Sequence, residues 1–491
     1  MLKITSITAL FLMFLSSPSH ATPTRLVIRM NEKTPIENLV AAVSNPRSPR
    51  YRKFYTADEI RTLTGPSDED YAALLQKLKH KHLTLVSETK TRLFVVAESN
   101  DSKVHEQLRA TLKSGFSNLG VASITLANPN RKMRPLYRIS STKGPITALS
   151  ASDIKKAYEF NPIYAAGITG DGQHLAVASY DGYHAEDFAS YFNQSRIPAP
   201  KIDQVMFNGT PEINETSAVE TEMDVELSGM IAPGAQIHVF ASAINDDPGE
   251  VEMFNAILDD GRSKVVNYSW GTCESDTTSD HQKDMDRLYL RAIAQGVNIF
   301  VASGDTGIDG CRNGTHSATW PGSQPNIISV GGTTFKLDSA NSLNETGWKG
   351  SGGGVSDFYK LPDYQSTFQS PYKRRSFPDV AFNADPKTGQ AIWTQYKTGT
   401  GHWMTAGGTS MAAPQWSGFM LLLQDARAKN AKKDLGFLNP ILYSMNAESL
   451  LNTFHDITQG NNGYDAQVGW DAVSGLGSLH ASKLLEYLRD Q

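Results

Sequence analysis

Cysteine and long apolar stretches are both scarce in this chain of 491 residues. The two cysteines are Cys273 and Cys311, and the sequence has no Cys/His cluster of the kind that holds zinc. After the N-terminal segment, no apolar stretch reaches the length of about 18 residues that a membrane-spanning helix needs. We therefore expect a soluble mature protein, neither a membrane protein nor a zinc-dependent one.

The N-terminal segment "MLKITSITALFLMFLSSPSHA" has the pattern of a secretory signal peptide. Lys3 supplies a positive charge, Ile4 to Leu15 form a short apolar stretch, and Ala21 ends a small-residue cleavage site. We predict that residues 1–21 are removed and that the protein is secreted, to the extracellular space or the periplasm. In an exported protein we expect Cys273 and Cys311 to form a disulfide, the alternative being two free buried thiols.

Charge is divided unevenly along the chain. Residues 22–142 carry 20 Lys and Arg against 11 Asp and Glu, a net charge of +9. Residues 143–491 carry 25 against 40, a net charge of −15. The two parts should attract each other, and the acidic second part argues against nucleic acid as a partner.

The patterns of apolar residues also divide the chain in two. In the first part, "TRLVIRM" and "TRLFVVAES" are typical of strands, and "DEDYAALLQKLKHKH" and "SKVHEQLRATLKS" of amphipathic helices. This part is predicted to be a small α+β unit. The stretch 128–145 is polar, basic and contains proline, so we predict an exposed linker that is open to cleavage.

The second part alternates apolar runs with helical segments. "HLAVASYDG", "QIHVFASA" and "VNIFVASGD" are typical of buried strands, and "SDHQKDMDRLYLRAIAQG" of a helix. Buried strands that alternate with helices predict an α/β fold built on a parallel sheet. Reactive groups in such folds gather at the carboxyl ends of the strands, where Trp270 and Asp305 are expected.

A nucleophile is indicated by "GGTSMAAP" at residues 407–414. Ser410 follows a glycine turn and precedes an apolar helical stretch, so it should lie at a helix N-terminus, which favours developing negative charge. A serine nucleophile needs a base. Histidine is the usual one, and "DTG" at 305–307 with "NGTHSA" at 313–318 is similar to the Asp and His motifs of the subtilisin family. Asn313 stands where that family has its catalytic histidine, so we interpret His316 as an ordinary loop histidine.

A carboxylate is the other candidate for the base. "SAVETEMDVELSGMIAPGA" at 217–235 predicts a helix in which Glu220 and Asp224, four residues apart, share one face. Two close carboxylates repel each other, which raises at least one pKa, and a carboxylate base works in acid. Glu222 and Glu226 form a second pair with the same spacing, and spacing alone also allows a solvated acidic face.

Together, "GGTSMAAP", "ETEMDVELSGMIAPGA", "VASGDTG", "NYSWG" and "GSGGGVSDFY" resemble the sedolisin family of serine-carboxyl peptidases, kumamolisin-like members in particular. The resemblance implies a subtilisin-like catalytic domain at 143–491, preceded by a small α+β, ferredoxin-like propeptide at 22–142. It implies Ser410 as nucleophile, Glu220 as base, Asp224 as its supporting carboxylate and Asp305 as oxyanion donor. It also implies cleft walls at Trp270, Gly352, Gly353 and Gly354.

The resemblance further implies one calcium ion near the C-terminus. Its ligands would be the side chains of Asp456 and Asp471 and the backbone carbonyls of Ile457, Gln467 and Gly469. Oxygen ligands on a flexible loop suit calcium. Gln467 replaces the first glycine of the family's Gly-x-Gly-x-Asp pattern, which removes glycine's backbone freedom there.

We expect a monomeric, acid-acting endopeptidase with protein or peptide substrates, held inactive by its own propeptide until acid weakens the attraction between the two parts. Self-cleavage is then predicted somewhere between Arg131 and Pro145. Release of tripeptides, a neutral subtilisin-type peptidase with a histidine base, and a non-catalytic calcium-binding protein on a peptidase scaffold are the alternatives.

Overall fold

The computed structural model describes residues 23–100, 116, 118–140, 148–214, 216–337, 343–366 and 372–491. The predicted signal peptide and the predicted helix at 102–114 lie outside these residues. In the part of the chain that is described, no helix is long and apolar enough to cross a membrane.

The strands are numbered in chain order. They are β1 Thr24–Met30, β2 Thr84–Glu88, β3 Phe94–Ser99, β4 Val121–Leu126, β5 Arg134–Pro135, β6 Arg138–Ile139, β7 His174–Ser179, β8 Lys201–Phe207, β9 Gln236–Ser242, β10 Val265–Tyr268, β11 Trp270–Cys273, β12 Asn298–Ala302, β13 Thr319–Trp320, β14 Ile328–Leu337, β15 Leu343–Gly347, β16 Gly354–Lys360, β17 Arg374–Phe377, β18 Val380–Asn383, β19 Gln390–Thr394, β20 His402–Gly407, β21 Phe454–His455 and β22 Ser478–Leu479.

The α-helices are numbered in the same way. They are α1 Ile36–Ser44, α2 Ala57–Thr64, α3 Asp68–His80, α4 Ala151–Ala157, α5 Asn161–Ala165, α6 Ala185–Ser195, α7 Ala218–Ile231, α8 Asp247–Asp260, α9 Ser279–Ala294, α10 Asp363–Ser366, α11 Thr409–Lys429, α12 Asn439–Tyr443, α13 Ala447–Thr453 and α14 Ala481–Arg489.

The first unit is an antiparallel sheet in the order β2-β3-β1-β4. Alternation along β1 sends Leu26 and Ile28 to the face that packs on α3, while Val27 faces the opposite way. Val27 joins the apolar cluster that contains Phe254 of α8 and Tyr289 of α9. The small α+β unit predicted from the sequence is confirmed, and its second face docks on helices of the larger unit.

The larger unit is a mixed sheet in the order β21-β22-β18-β14-β12-β10-β7-β9-β8. Neighbours from β8 to β22 run parallel, while β15 and β21 add antiparallel pairs. Helices cover both faces: Val177 of β7 packs in the cluster with α7 and α11, and its neighbour Ala178 in the cluster with α8 and α9. The predicted α/β class is confirmed, and Ser410, Glu220 and Asp305 approach the carboxyl ends of these strands.

The linker differs from the prediction. Arg131, Met133 and Leu136 are buried, although Lys132, Arg134 and Arg138 between and after them are exposed, so the linker is anchored and not freely exposed. Instead β5 pairs antiparallel with β11, and β6 pairs antiparallel with β20. The extended linker satisfies its backbone hydrogen bonds by joining two strands of the larger unit, which a polar composition did not reveal. Residues 141–145 of the linker lie outside the described residues.

Candidate active site

Ser410 lies in the first turn of α11, and its side chain is buried. The preceding Gly408 has a φ of 104°, a left-handed conformation that glycine adopts without a steric penalty. A Cβ at Gly408 would also come within 2.6 Å of the Leu136 carbonyl oxygen and 2.7 Å of Asp305 Oδ2. The glycine therefore lets the linker and Asp305 approach the start of the helix.

Glu220 is the acidic partner of Ser410. Ser410 Oγ donates a hydrogen bond to Glu220 Oε2 at 2.9 Å and also lies 3.1 Å from the carbonyl oxygen of Ser269. Glu220 is fully buried, and burial together with the charge of Asp224 raises its pKa well above the usual range. The hydroxyl thus faces a carboxylate with high proton affinity, as removal of its proton requires.

Asp224 lies one turn further along α7 and is also fully buried. Its Oδ1 accepts a 2.7 Å hydrogen bond from Ser269 Oγ, which in turn accepts one from Asn267 Nδ2 at 3.0 Å. Burial raises the pKa of Asp224, whereas the bond from Ser269 lowers it. A buried carboxylate pair of this kind holds on to a proton, so Glu220 and Asp224 titrate as a unit.

The second acidic pair on α7 has other partners. Glu226 Oε2 accepts the backbone N–H of Trp393 at 3.0 Å, and Glu222 Oε1 accepts that of His184 at 3.2 Å. All four carboxylates are buried, so the interpretation as a solvated face is wrong. The two pairs differ in the side of the helix on which they lie. Glu220 and Asp224 face Ser410 and Ser269, while Glu222 and Glu226 face β19 and the start of α6.

Asp305 follows β12 at the other side of Ser410. Its Oδ1 accepts hydrogen bonds from the Thr409 backbone N–H at 2.8 Å and from Thr409 Oγ1 at 3.0 Å. Within the described residues, Oδ2 is buried and has no hydrogen-bond partner. Burial raises the pKa of Asp305 to about 6, although nearby Arg138, with Nε 3.8 Å from Oδ2, lowers it. A neutral Asp305 would have an O–H to donate.

Within the described part of the chain, no histidine contacts Ser410 Oγ through a hydrogen bond. The partners found for Ser410 Oγ among the described residues are Glu220 and Ser269. His316 is exposed and lies beside the Tyr464 ring, as expected for a loop histidine.

The linker occupies the site next to Ser410. The Leu136 carbonyl oxygen accepts the Ser410 backbone N–H at 3.0 Å, and the Leu136 N–H donates to the Ser269 carbonyl at 3.1 Å. The ladders β5–β11 and β6–β20 hold the chain on either side of this point. Nothing in the local sequence indicated Leu136, because its position depends on pairing with strands more than 130 residues away.

The predicted cleft residues take two different places. The backbone of Trp270 pairs with Pro135 of the linker, while its side chain is buried in the core beside Tyr180. Gly352 donates its N–H to the Gly304 carbonyl at 2.7 Å, which supports the turn that carries Asp305. Gly353 lies close to Ala472, and Gly354 close to Tyr464, both on the C-terminal loop.

The predicted calcium ligands lie on one folded loop. Asp456 accepts the Gly469 N–H at 3.1 Å, and Asp471 accepts the Gln467 N–H at 3.0 Å. Both carboxylates have a raised pKa because of burial, Asp471 to about 6, and no described Lys or Arg forms an ion pair with either. Two carboxylates without a cationic partner among the described residues fit a hard cation such as calcium.

Cys273 and Cys311 form a disulfide, as predicted, with their Cα atoms 4.4 Å apart. The bridge joins the end of β11, which pairs with the linker, to the loop that follows Asp305.

Sequence reasoning missed several residues that contact the site. Ser269 lies inside the "NYSWG" stretch, so its position beside Trp270 was the available signal. Thr409 lies inside "GGTS" and holds Asp305 in place. Arg138 contacts Asp305 from the linker, for which the sequence indicated only a basic composition.

Comparisons with known proteins agree with this geometry. Residues 204–470 match the subtilase family, and residues 15–122 match the pro-kumamolisin activation domain. Kumamolisin from Bacillus sp. (strain MN-32) is 31% identical over an alignment of 402 residues, and the match covers 75% of this chain and 69% of that protein. Tripeptidyl-peptidase sed4 from Aspergillus fumigatus is 26% identical, over 92% of this chain and 89% of that protein.

A solved structure agrees as well. Pseudomonas sedolisin, a serine-carboxyl proteinase in complex with two molecules of pseudo-iodotyrostatin, matches with a TM-score of 0.64 and 29% identity. The match covers 71% of this chain and all of that one. Its kumamolisin and sedolisin relatives, its fold and its activation domain show that this chain belongs to the sedolisin family of serine-carboxyl peptidases.

Proposed function

We propose that this protein is a secreted zymogen of an acid-acting endopeptidase that cleaves peptide bonds through an acyl-enzyme on Ser410. The observation that carries the proposal is the 2.9 Å hydrogen bond from Ser410 Oγ to the buried Glu220 carboxylate. Asp305 lies across the helix start, so a carbonyl bound there has a nucleophile and an oxyanion donor within reach.

The reaction follows from these positions. Ser410 Oγ attacks the substrate carbonyl carbon while Glu220 takes the hydroxyl proton, and Asp224 stabilises the protonated Glu220. The oxyanion accepts hydrogen bonds from the Ser410 N–H and from Asp305 in its neutral form. Glu220 then gives its proton to the leaving amine, and water hydrolyses the acyl-enzyme by the reverse sequence.

Acid dependence follows from Asp305. The donor must be neutral, and burial raises the pKa of Asp305 to about 6. Activity is therefore present below that pKa and is lost as the pH rises through about 6. A histidine base would give the opposite dependence, because imidazole must be unprotonated to accept a proton.

The path of the linker favours an endopeptidase over tripeptide release. An enzyme that releases tripeptides must stop the substrate three residues before the cleaved bond. Here the chain continues on the amino side of Leu136 through Arg134, Met133 and the buried Arg131. The corresponding side of the cleft is therefore open to a long polypeptide.

We also propose one calcium ion on the C-terminal loop, held by Asp456, Asp471 and the carbonyls of Ile457, Gln467 and Gly469. When bound, the ion would neutralise the two carboxylates and fix the loop. Asn462 of the same loop donates to the Ser351 carbonyl at 2.7 Å, and its own carbonyl accepts the Ile308 N–H at 3.2 Å. The loop thus supports the segment that follows Asp305.

The deciding experiment is hydrolysis of a denatured protein from strongly acid to mildly alkaline pH, after acid activation. Wild type is compared with Ser410→Ala and Glu220→Gln, and Glu222→Gln serves as the matched control on the same helix. We expect an acid optimum, no activity in Ser410→Ala, and a loss of about 100-fold to 10,000-fold in Glu220→Gln. Activity that peaks above neutrality and survives Glu220→Gln would refute the proposal.

A fluorophosphonate probe tests the non-catalytic alternative separately. We expect labelling of Ser410 in acid and none in Ser410→Ala. A probe that fails to label acid-treated wild type would favour a binding protein on a peptidase scaffold.

A further inference from the structure

We propose that the zymogen first cleaves itself between Leu136 and Tyr137, and that the residues around this bond record the enzyme's preference for substrates with leucine on the amino side of the cleaved bond. This inference rests on the proposed function and gives it a substrate class. The linker occupies the cleft in the direction and register of a substrate.

The backbone contacts define the register. Arg134 and Pro135 pair with Gly271 and Trp270 on the amino side of Leu136. Arg138 and Ile139 pair with Gly407 and Ala406 on the carboxyl side. Strand pairing on both sides is how an extended peptide is bound at a strand edge, and it fixes which carbonyl reaches the nucleophile.

That carbonyl belongs to Leu136. Its oxygen accepts the Ser410 N–H at 3.0 Å, and both the Leu136 N–H and Ser410 Oγ contact the same Ser269 carbonyl, at 3.1 Å each. The carbonyl oxygen and the unpartnered Asp305 Oδ2 both lie beside Gly408. The Leu136–Tyr137 peptide therefore has nucleophile, base and oxyanion donors around it.

The side chain of Leu136 is 4% exposed and lies against the backbone of Gly271. A Cβ at Gly271 would come within 2.7 Å of Leu136 Cδ1. That Cβ would also lie 3.0 Å from the Trp320 carbonyl oxygen and 3.1 Å from Thr319 Cγ2. Gly271 therefore provides the space that a branched apolar side chain fills, and it is the specificity-determining residue.

The carboxyl side of the bond is held as well. The Tyr137 hydroxyl donates to the Thr216 carbonyl, and Arg138 donates to the Asp305 carbonyl at 3.2 Å. In the cleavage, the Ser410 Oγ–carbon bond forms and the bond to the Tyr137 nitrogen breaks, with the proton passing through Glu220 to that amine. Water then releases Leu136 as a carboxylate and restores the Ser410 hydroxyl.

The first test follows the full-length zymogen by intact mass and terminal sequencing at early times after transfer to acid. We expect fragments that end at Leu136 and begin at Tyr137, and no cleavage in Ser410→Ala. Leu136→Asp should slow this cleavage at least about 100-fold, because a side chain that is only 4% exposed leaves a carboxylate poorly hydrated. Leu63→Asp is the matched control and should leave the rate unchanged, because Leu63 is an exposed leucine on α2 of the propeptide.

The second test uses the blocked octapeptide acetyl-Lys-Met-Arg-Pro-Leu-Tyr-Arg-Ile-amide, which copies residues 132–139, and the same peptide with alanine in place of leucine. We expect wild type to cleave after leucine and to prefer it over alanine. Gly271→Ala should lower the leucine-to-alanine ratio of kcat/KM at least about tenfold, whatever its effect on stability.

The outcomes separate the two proposals. A first cleavage at another bond, or a leucine-to-alanine ratio that Gly271→Ala leaves unchanged, would overturn the inference while hydrolysis of denatured protein still upheld the proposed function. A protein that hydrolyses no substrate at any pH would overturn both.

Discussion

Arg138 lies over the carboxylate on which the proposed acid dependence rests. Asp305 is faced by Thr409 of α11, by Arg138 of the linker and by Arg312 of the following loop, and its charge also acts on Glu220. Burial raises the pKa of Asp305 to about 6, and the two arginines lower it. The intact linker thus favours the ionised form, which cannot donate to an oxyanion.

Removing Arg138 should therefore extend self-cleavage to higher pH. In Arg138→Gln the pKa of Asp305 rises, so the neutral form persists further toward neutrality. We expect the pH at half-maximal self-cleavage to increase, measured as the initial rate of loss of full-length protein across a pH series. Arg134→Gln is the control, and a downward or absent shift in Arg138→Gln would contradict the assignment of Asp305.

Ser269 is a positioning residue that affects the acid limb of the pH profile through Asp224. Its hydroxyl bonds to Asp224 at 2.7 Å and lowers the pKa of that carboxyl. In Ser269→Ala the proton affinity of the Glu220–Asp224 pair rises, so the acid limb of kcat should move to higher pH, with kcat reduced about tenfold. A pH profile of kcat and KM checks this, since a merely structural role would leave the limb in place.

At this scale the sequence identified a carboxylate base on α7, but it did not show which of the four acidic residues contacts Ser410. Glu220, Glu222, Asp224 and Glu226 recur at intervals of two along one helix, and all four are buried. Only the packing of α7 on α11 and β19 decides which pair meets Ser410. The motifs of the family supplied that choice, because helical periodicity describes one element and not its neighbours.

The propeptide docks on helices α8 and α9. Arg25 binds Asp246 at 2.8 Å, immediately before α8, and Arg29 binds Asp284 of α9 at 2.7 Å. The charge complementarity predicted from composition is therefore concentrated on two helices. Which carboxylates take part could not be read from net charge, since it depends on the face that the antiparallel sheet covers.

Arg131 makes the most deeply buried of these contacts among the described residues. It binds Asp247 at 2.8 Å and also Glu250, and all three side chains are fully buried. Removing one partner leaves buried charges uncompensated, so Arg131→Met should cost the zymogen about 3–5 kcal/mol. Denaturant titration of the Ser410→Ala zymogen, with hydrogen exchange in β1 as the readout of docking, measures this.

Arg61→Met is the matched control for that experiment. Its partly exposed pair with Asp68, at 3.5 Å, lies within the propeptide and should contribute less than about 1 kcal/mol. Equal effects of the two substitutions would show that burial of the Arg131 cluster does not govern docking.

For the molecule as a whole, the order of self-cleavage and propeptide release is a separate prediction. Burial would raise the pKa of Glu250, but Arg131 and His281 outweigh it and lower the pKa to about 2. A depressed pKa means that this contribution is lost only as the pH falls through about 2. Asp305 titrates near 6, so cleavage should precede release.

We therefore expect the two fragments to remain associated after cleavage at a pH between these two values. Size-exclusion chromatography of the cleaved zymogen should show residues 22–136 eluting with the peptidase domain. Separation should follow only at lower pH or after further proteolysis of the propeptide. Immediate separation on cleavage would restore the charge-release mechanism.

Calcium should stabilise the whole peptidase domain. At a calcium concentration 1,000-fold above Kd, a single site contributes about 4 kcal/mol, so a chelator should lower Tm and then activity. Asp471→Asn should remove the response to chelator. Asp465→Asn is the control on the same loop, because Asp465 is exposed and bonds only to Asn461 among its described neighbours. An unchanged Tm in chelator would refute the site.

The linker threads the cleft of its own chain, and this has a kinetic consequence. A bond already seated beside its own nucleophile breaks in a first-order process whose half-life does not depend on dilution. The rate of self-cleavage in each molecule would depend on the local pH and not on the presence of another copy. Maturation would then proceed as fast for a single molecule far from the cell as in a concentrated solution.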